Sequence, residues 1–438
     1  MVFIKISMRS FFNALFLAPL SIIILGGCAV IPTAPRMQRL TGNNALKNGF
    51  IVYWPPHGGG KQLRLAVKDN IDMKGVVTSV GSEYLLKNRP PAAQDAECLA
   101  IARQRHVQIV GKTLLSEFAV APSGTNDYFG TPKSPLSTWR PLIPGGSSCG
   151  SALAVAKGKA DVAFGTDTAG SVRVPAACCG VVGLKTTHGL VSVKGVFPIE
   201  PKHLDTVGPI ARDIAHTVKG MDLLQNGFAE RYEQVVADKP SAQGIRIGRL
   251  SLRGTDSRVD QAVDAALARA HFQVVPLDEE FAGKWERAKK DGNTVAAAGA
   301  WISGKEYRNK LGVTAHTQSA ILVGSLLYER DYLKAPQRQA GWQKALREVF
   351  KKVDFIALPT LQTTPPPIPA IGKIGALEVC MLGLQNTVAV NFAGNPALAM
   401  PVPMKHGGVR VTSLQLIGPR LSEAELLNAG RFIEASRK

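Results

Sequence analysis

Residues 245–277 read as strand, helix and strand in succession, and no other stretch restricts the fold as much. Residues 245–250 and 272–277 are short apolar runs, and residues 259–270 between them repeat apolar side chains at helical spacing. Two strands joined by a helix pair in parallel, because only a crossover of about a dozen residues or more returns the chain in the same direction. Further short strands are expected at 63–67, 107–110, 161–164, 181–184, 355–358, 397–402 and 411–417. Helices are expected at 96–105, 151–156 and 421–436, the last with Leu426, Leu427, Ala429, Phe432 and Ile433 on one helical repeat. The pattern is an α/β domain with a mixed sheet. Residues 226–343 carry charges and helical stretches but no motif, which suits surface helices or structure that shapes a substrate pocket.

Composition narrows the class. The chain has 438 residues, 45% of them hydrophobic, and a formal net charge of +19. This apolar share excludes a disordered chain, and there is no collagen, heptad or disulfide-knot pattern. The basic residues are spread along the chain in runs no longer than pairs such as Lys289-Lys290 and Lys351-Lys352. Without zinc-finger spacing or an aromatic–basic sheet motif, they read as a solvated surface, and no nucleic acid is expected as partner.

The start of the chain reads as an address. Lys5 and Arg9 precede residues 10–27, which are uncharged and mostly apolar, in the order of a secretory signal. Leu25-Gly26-Gly27-Cys28 resembles the bacterial lipoprotein box, in which the cysteine is lipidated. The expectation is a signal peptide at 1–27, a tether at 28–45 and the main domain at 46–438, exported and held in the cell envelope by lipid on Cys28. Ala29 after that cysteine favours the outer membrane in an organism that has one. An uncleaved anchor is the alternative, since the uncharged span 10–35 is long enough to cross a bilayer. The other cysteines, Cys98, Cys149, Cys178, Cys179 and Cys380, are odd in number and irregularly spaced, which is no disulfide framework.

Metal and nucleotide chemistry find no support in the sequence. Eight histidines (His57, His106, His188, His203, His216, His271, His316, His406) form neither HExxH nor HxH. Gly111-Lys112-Thr113 looks like the tail of a phosphate loop, but His106 stands where its leading glycine belongs. Neither a metal nor a cofactor is expected. Serine chemistry is the strong signal. Pro144-Gly145-Gly146-Ser147-Ser148-Cys149-Gly150-Ser151 is a Gly/Ser turn running into a helix. Gly165-Thr166-Asp167-Thr168-Ala169-Gly170-Ser171-Val172-Arg173-Val174-Pro175 follows, and Ala66-Val67-Lys68-Asp69-Asn70 lies upstream. Two rivals share the Gly/Ser turn. Gly146 to Gly150 formally matches GxSxG with Ser148 as nucleophile, but Pro141 and Pro144 spoil the strand that such an elbow needs. Cys149 at a helix start could be a low-pKa thiolate, although no partner histidine is placed beside it.

These three stretches, in this order, resemble the amidase signature family. The resemblance continues through Pro175 to Thr186, Leu204-Asp205-Thr206-Val207-Gly208-Pro209, Asn391-Phe392-Ala393-Gly394-Asn395-Pro396 and Leu414 to Gly418. It implies a single large domain whose mixed central sheet is covered by helices on both faces. It implies a Ser–cis-Ser–Lys triad: Ser171 as nucleophile, Ser147 as the bridging serine behind a cis peptide bond, and Lys68 as base. The N–H groups of Thr168, Ala169, Gly170 and Ser171 correspond to the oxyanion hole, and Ser148 is a possible substrate contact. Two residues depart from the family's usual glycine, Ala169 and Cys149. If the loop needs a positive φ at Ala169, its Cβ would strain the oxyanion hole.

The chemistry suits those roles. A serine hydroxyl needs a base to attack, and lysine serves as one only when burial keeps it neutral. A second hydroxyl both donates and accepts, so it can pass the proton on. Asp167 and Arg173 read as anchors of the loop. The expected activity is hydrolysis of a small-molecule or peptide carboxamide through a seryl ester. The alternatives are a glutaminase subunit of a tRNA amidotransferase and an inactive, envelope-anchored binding protein.

Overall fold

Among the described residues, eleven strands form one sheet, and each strand's two-residue period sends alternate side chains to opposite faces. The computed structural model describes residues 43–56, 62–369, 374–405 and 408–437. The strands are β1 (Phe50–Tyr53), β2 (Arg64–Lys68), β3 (Gln108–Thr113), β4 (Val162–Asp167), β5 (Val182–Lys185) and β6 (Thr206–Ala211). They continue with β7 (Arg246–Arg249), β8 (Gln273–Pro276), β9 (Phe355–Pro359), β10 (Ala397–Pro403) and β11 (Val411–Ile417). Their order across the sheet is β1-β3-β2-β4-β6-β5-β10-β11-β9-β7-β8. The triplets β3-β2-β4 and β9-β7-β8 are parallel, and the other neighbours are antiparallel.

Leu65, Val67, Val162, Phe164, Leu398 and Leu416 bury one face against the helices Ile214–Asp222, Ser257–Arg269 and Glu423–Ala435. On the other face, Ala66, Ala163 and Ile210 pack with the helices Cys149–Ala156 and Arg173–Cys179. Also there, Ile356, Leu358 and Ala397 meet Phe281 and Trp285 of the long helix Glu279–Gly304. The mixed sheet with helices on both faces is therefore the architecture expected from the sequence. The described residues, from 43 to 437, cluster as one compact unit.

Most expected elements stand, and the parallel pair β7–β8 joined by the helix Ser257–Arg269 follows the reading of 245–277. Residues 96–105 differ in detail: a 3₁₀ turn, Glu97–Leu99, leads into the short helix Ala100–Gln104. The strand β6 was not expected, because Pro209 in its middle removes a ladder donor. The helix Arg173–Cys179 was also missed, although Pro175 falls in its first turn, where no intrahelical N–H is needed. Residues 1–27, Cys28 and most of the expected tether lie outside the described residues, whereas Asn43–Lys47 at the tether's end form a short helix. His57 and His406 also lie outside them.

Candidate active site

The parallel strands β2 and β4 are neighbours, so their C-terminal ends open on the same edge of the sheet. That edge is where ligands bind in open α/β sheets. Lys68 is the last residue of β2 and is fully buried. Its Nζ lies 2.7 Å from Ser147 Oγ and 2.8 Å from Thr166 Oγ1 near the end of β4. Asn70 Nδ2 donates to the same Thr166 oxygen at 3.0 Å. Burial lowers the Lys68 amine to about pKa 7, against the opposing pull of Cys149, Asp167 and Asp205. A fully buried amine at that pKa is substantially neutral at physiological pH, and its lone pair can accept the Ser147 proton.

Ser147 follows a cis peptide bond from Gly146, as the family resemblance implied. The turn leaves no room for side chains. Gly145 has φ +71°, and a Cβ on Gly146 would lie 2.5 Å from Ala121 O and 2.6 Å from Gly124 N. Gly146→Ala is expected to lower unfolding stability by about 1–3 kcal/mol, toward the upper end because the opposing atoms are backbone. Urea denaturation measures it.

The two rivals for this turn fail on geometry. Ser148 is buried, with its hydroxyl on Thr166 O at 3.4 Å, and residues 140–145 form no strand before it. Ser148 is not among the residues that line the cavity described below, and neither are Lys68 and Ser147. The Cys149 thiol is also buried, and desolvation pushes it up to about 12, which is against the rival reading of a low-pKa thiolate.

β4 ends at Asp167, and residues 168–172 turn into the helix Arg173–Cys179. Ser148 N donates to Ser171 O at 3.2 Å, which ties this turn to the Gly/Ser turn. Among the described residues, the N–H groups of Thr168, Ala169, Gly170 and Ser171 have no hydrogen-bond acceptor. Gly170 takes φ +139°, and a Cβ there would lie 2.3 Å from Thr387 Oγ1. Ala169 is not among the residues with positive φ, so its Cβ brings no backbone strain, and its carbonyl accepts from the Thr387 hydroxyl. The departure from the family's glycine is thereby accommodated.

Asp167 and Arg173 anchor this turn. They form an ion pair at 3.0 Å with both side chains fully buried. Arg173 also donates to Thr387 O at 3.1 Å and Gln415 Oε1 at 2.6 Å, and Asp167 accepts from Val172 N and Asn391 Nδ2. Burial opposes ionisation of Asp167, but the Arg173 guanidinium outweighs it and holds the carboxyl at about 2. Arg173→Met leaves that carboxylate buried without its partner and is expected to cost about 3–5 kcal/mol of stability. Because the folded pKa lies below the unfolded one, the stability due to Asp167 is full above about pH 4 and lost as pH falls toward 2. Thermal melts of both proteins from pH 2 to 7 should show the acid-dependent part of that difference shrink below pH 4.

Asp205 received no role from the sequence. It accepts from Thr168 Oγ1 at 2.7 Å and from the N–H groups of Ile199 and Glu200. It therefore holds the first residue of the 168–171 turn. Burial raises its carboxyl above the usual range despite those donors.

A cavity of about 280 Å³ opens beside Thr168, Ala169 and Ser171. Its walls come from Ala119–Pro122 and from three helices, Glu279–Gly304, Ala315–Leu327 and Ile374–Leu384. The stretch 226–343 thus shapes the pocket, as its lack of other motifs suggested. Asn293, His316, Glu378 and Gln385 line it too. Sequence reasoning missed all four, because each lies alone in or beside helical residues with no local motif.

The amidase family profile matches residues 63–427. The chain is 34% identical over 412 residues to a glutamyl-tRNA(Gln) amidotransferase subunit from Halobacterium salinarum, covering 84% of this chain and 94% of that one. It is 35% identical over 390 residues to 2-amino-5-chloromuconic acid deaminase of Comamonas testosteroni, covering 85% and 81%. Among solved structures, the corresponding glutamyl-tRNA(Gln) amidotransferase chain of Thermotoga maritima superposes with a TM-score of 0.71 at 25% identity, over 88% of this chain and 87% of that one. A chain from a vestigial protein complex tied to the origins of an s-triazine catabolic enzyme gives 0.77 at 25%, over 90% and 92%. With this sequence match over most of its length and Lys68, buried at the end of β2, in contact with Ser147 of the Gly/Ser turn, the chain belongs to the amidase signature family.

Proposed function

We propose that Ser171 is the nucleophile, Ser147 the proton relay and Lys68 the base of an amide hydrolase. The observation that carries this reading is the 2.7 Å contact between Ser147 Oγ and a fully buried lysine amine whose pKa burial lowers to about 7. Ser171 Oγ attacks the carbonyl carbon while its proton moves to Ser147 and the Ser147 proton moves to Lys68. The unpaired N–H groups at 168–171 receive the charge that develops on the carbonyl oxygen; one such donor is worth roughly 3 kcal/mol in the transition state. The C–N bond breaks as the proton returns to the leaving nitrogen. Water, deprotonated along the same path, then cleaves the seryl ester. No step calls for a metal or cofactor. The purified chain alone should release ammonia or amine from simple amides, and should react at Ser171 with a fluorophosphonate.

The relatives of the amidotransferase type favour a second reading, in which the chain supplies ammonia within a complex. That reading requires glutamine as the preferred substrate and an activity that rises with a partner protein. Glutamine and a simple aliphatic amide, offered together to the isolated chain, separate the two.

We further propose that the domain is exported and anchored by lipid on Cys28, on the strength of Lys5, Arg9, the apolar residues 10–27 and the Leu25-Gly26-Gly27-Cys28 tetrapeptide. Cys28→Ser should abolish incorporation of a labelled fatty acid and leave residues 1–27 attached, seen as a larger mass than the wild type.

A further inference from the structure

We infer that the cavity beside Ser171 selects an amide whose substituent is apolar and carries no carboxylate. This inference rests on the proposed hydrolase reading and adds its substrate class. The wall of the cavity carries it. Ala296, Ala297 and Ala300 of the helix Glu279–Gly304, Val323 of Ala315–Leu327, and Val379 and Leu382 of Ile374–Leu384 all line the cavity. The segment Ala119–Pro122 adds only apolar side chains to them.

These side chains are not apolar merely because the core needs them. Val323, Val379 and Leu382 are 51%, 72% and 40% exposed. A surface helix ordinarily turns charged or polar side chains outward. Here the helix Ala315–Leu327 contains no Asp, Glu, Lys or Arg, and Ile374–Leu384 contains Glu378 alone. The Glu378 carboxylate is engaged by the N–H and hydroxyl of Ser123 and the hydroxyl of Thr125. The polar wall residues also offer less than their names suggest. Asn293 Oδ1, His316 Nε2 and Gln385 Nε2 are buried atoms with almost no accessible surface to present to a ligand. Apolar surface left in water beside a cavity is stabilised when an apolar group covers it. A carboxylate on the substituent would instead lose its hydration against these alkyl walls, with no lysine or arginine among the described lining residues to offset the loss. The free amino acid glutamine, with its α-carboxylate, meets the same cost.

The test compares kcat/KM for acetamide, butyramide and hexanamide with that for glutamine and for the monoamide of adipic acid, which is hexanamide with a carboxylate at its end. For the wild type, kcat/KM should rise about fourfold per methylene, so that hexanamide exceeds acetamide at least a hundredfold. The acid monoamide and glutamine should each fall about a hundredfold or more below hexanamide. Val323→Asp and Val379→Asp place a charge at exposed positions of the wall, and each should lower the hexanamide-to-acetamide ratio about tenfold. Fluorophosphonate labelling of Ser171 verifies that each variant is folded, and the wild-type series needs no variant at all. A flat series from acetamide to hexanamide, cleavage of glutamine or the acid monoamide as fast as hexanamide, or a ratio that neither variant moves would overturn the inference. Labelling of Ser171 without cleavage of any of these amides would overturn the substrate class and leave the nucleophile standing. Absence of labelling in the wild type would remove the hydrolase reading itself.

Discussion

Ser171→Ala is expected to lower kcat/KM for a cleaved amide by about 10⁴-fold or more, since removing a nucleophile leaves only binding and oxyanion stabilisation. The same variant should lose fluorophosphonate labelling completely. It should not lose stability, because Ser171 is half-buried and its side chain makes no hydrogen bond among the described residues. Unfolding in urea and labelling of the same preparations distinguish a lost nucleophile from a lost fold. Turnover in Ser171→Ala within tenfold of wild type would transfer the chemistry to another group. The buried Cys149, with its thiol pushed up to about 12, is no candidate for it.

Lys68→Met should lower kcat/KM by about 10³- to 10⁴-fold, the range expected for a base that also aligns the relay. Its effect on stability should run the other way. The folded pKa is about 7 and the ordinary value 10.5. Between these the unfolded chain binds a proton that the folded chain does not, so stability rises with pH from about 7 to 10.5. At pH 7 the buried amine therefore opposes folding, by an amount on the order of 5 kcal/mol before the hydrogen bonds to Ser147 and Thr166 are considered. A methionine of similar length removes that opposition, so Tm at pH 7 should not fall. A variant that kept its activity, or lost it by unfolding, would contradict the role of Lys68.

What was legible in the sequence was whatever local pattern dictates. Alternation at 63–67, the strand-like run at 411–417 and the strand–helix–strand run at 245–277 each specify an element without help from distant residues. The order of elements in the sheet was not legible, because β4 and β5 both pair with β6, and β6 hides its strand character behind Pro209. The partners at the site became legible only through resemblance. Lys68 and Ser147 are 79 positions apart, and nothing local to either announces the other. Asp205 lay within a matching stretch, yet its function as an acceptor for Thr168 depends on a tertiary contact. The cavity wall was the least legible part. Ala296, Ala300 and Ala320 are ordinary helix residues until two helices bring them together beside Ser171.

The central claim is that a neutral, buried Lys68 drives Ser171 through Ser147. The most direct test is the second-order rate of fluorophosphonate labelling of Ser171 between pH 5 and 10, in wild type and Lys68→Met. Wild type should rise about tenfold per pH unit and level off near pH 7, and the variant should be slow and flat across that range. An inflection near pH 10 in wild type, or one near 7 that survives in Lys68→Met, would contradict it.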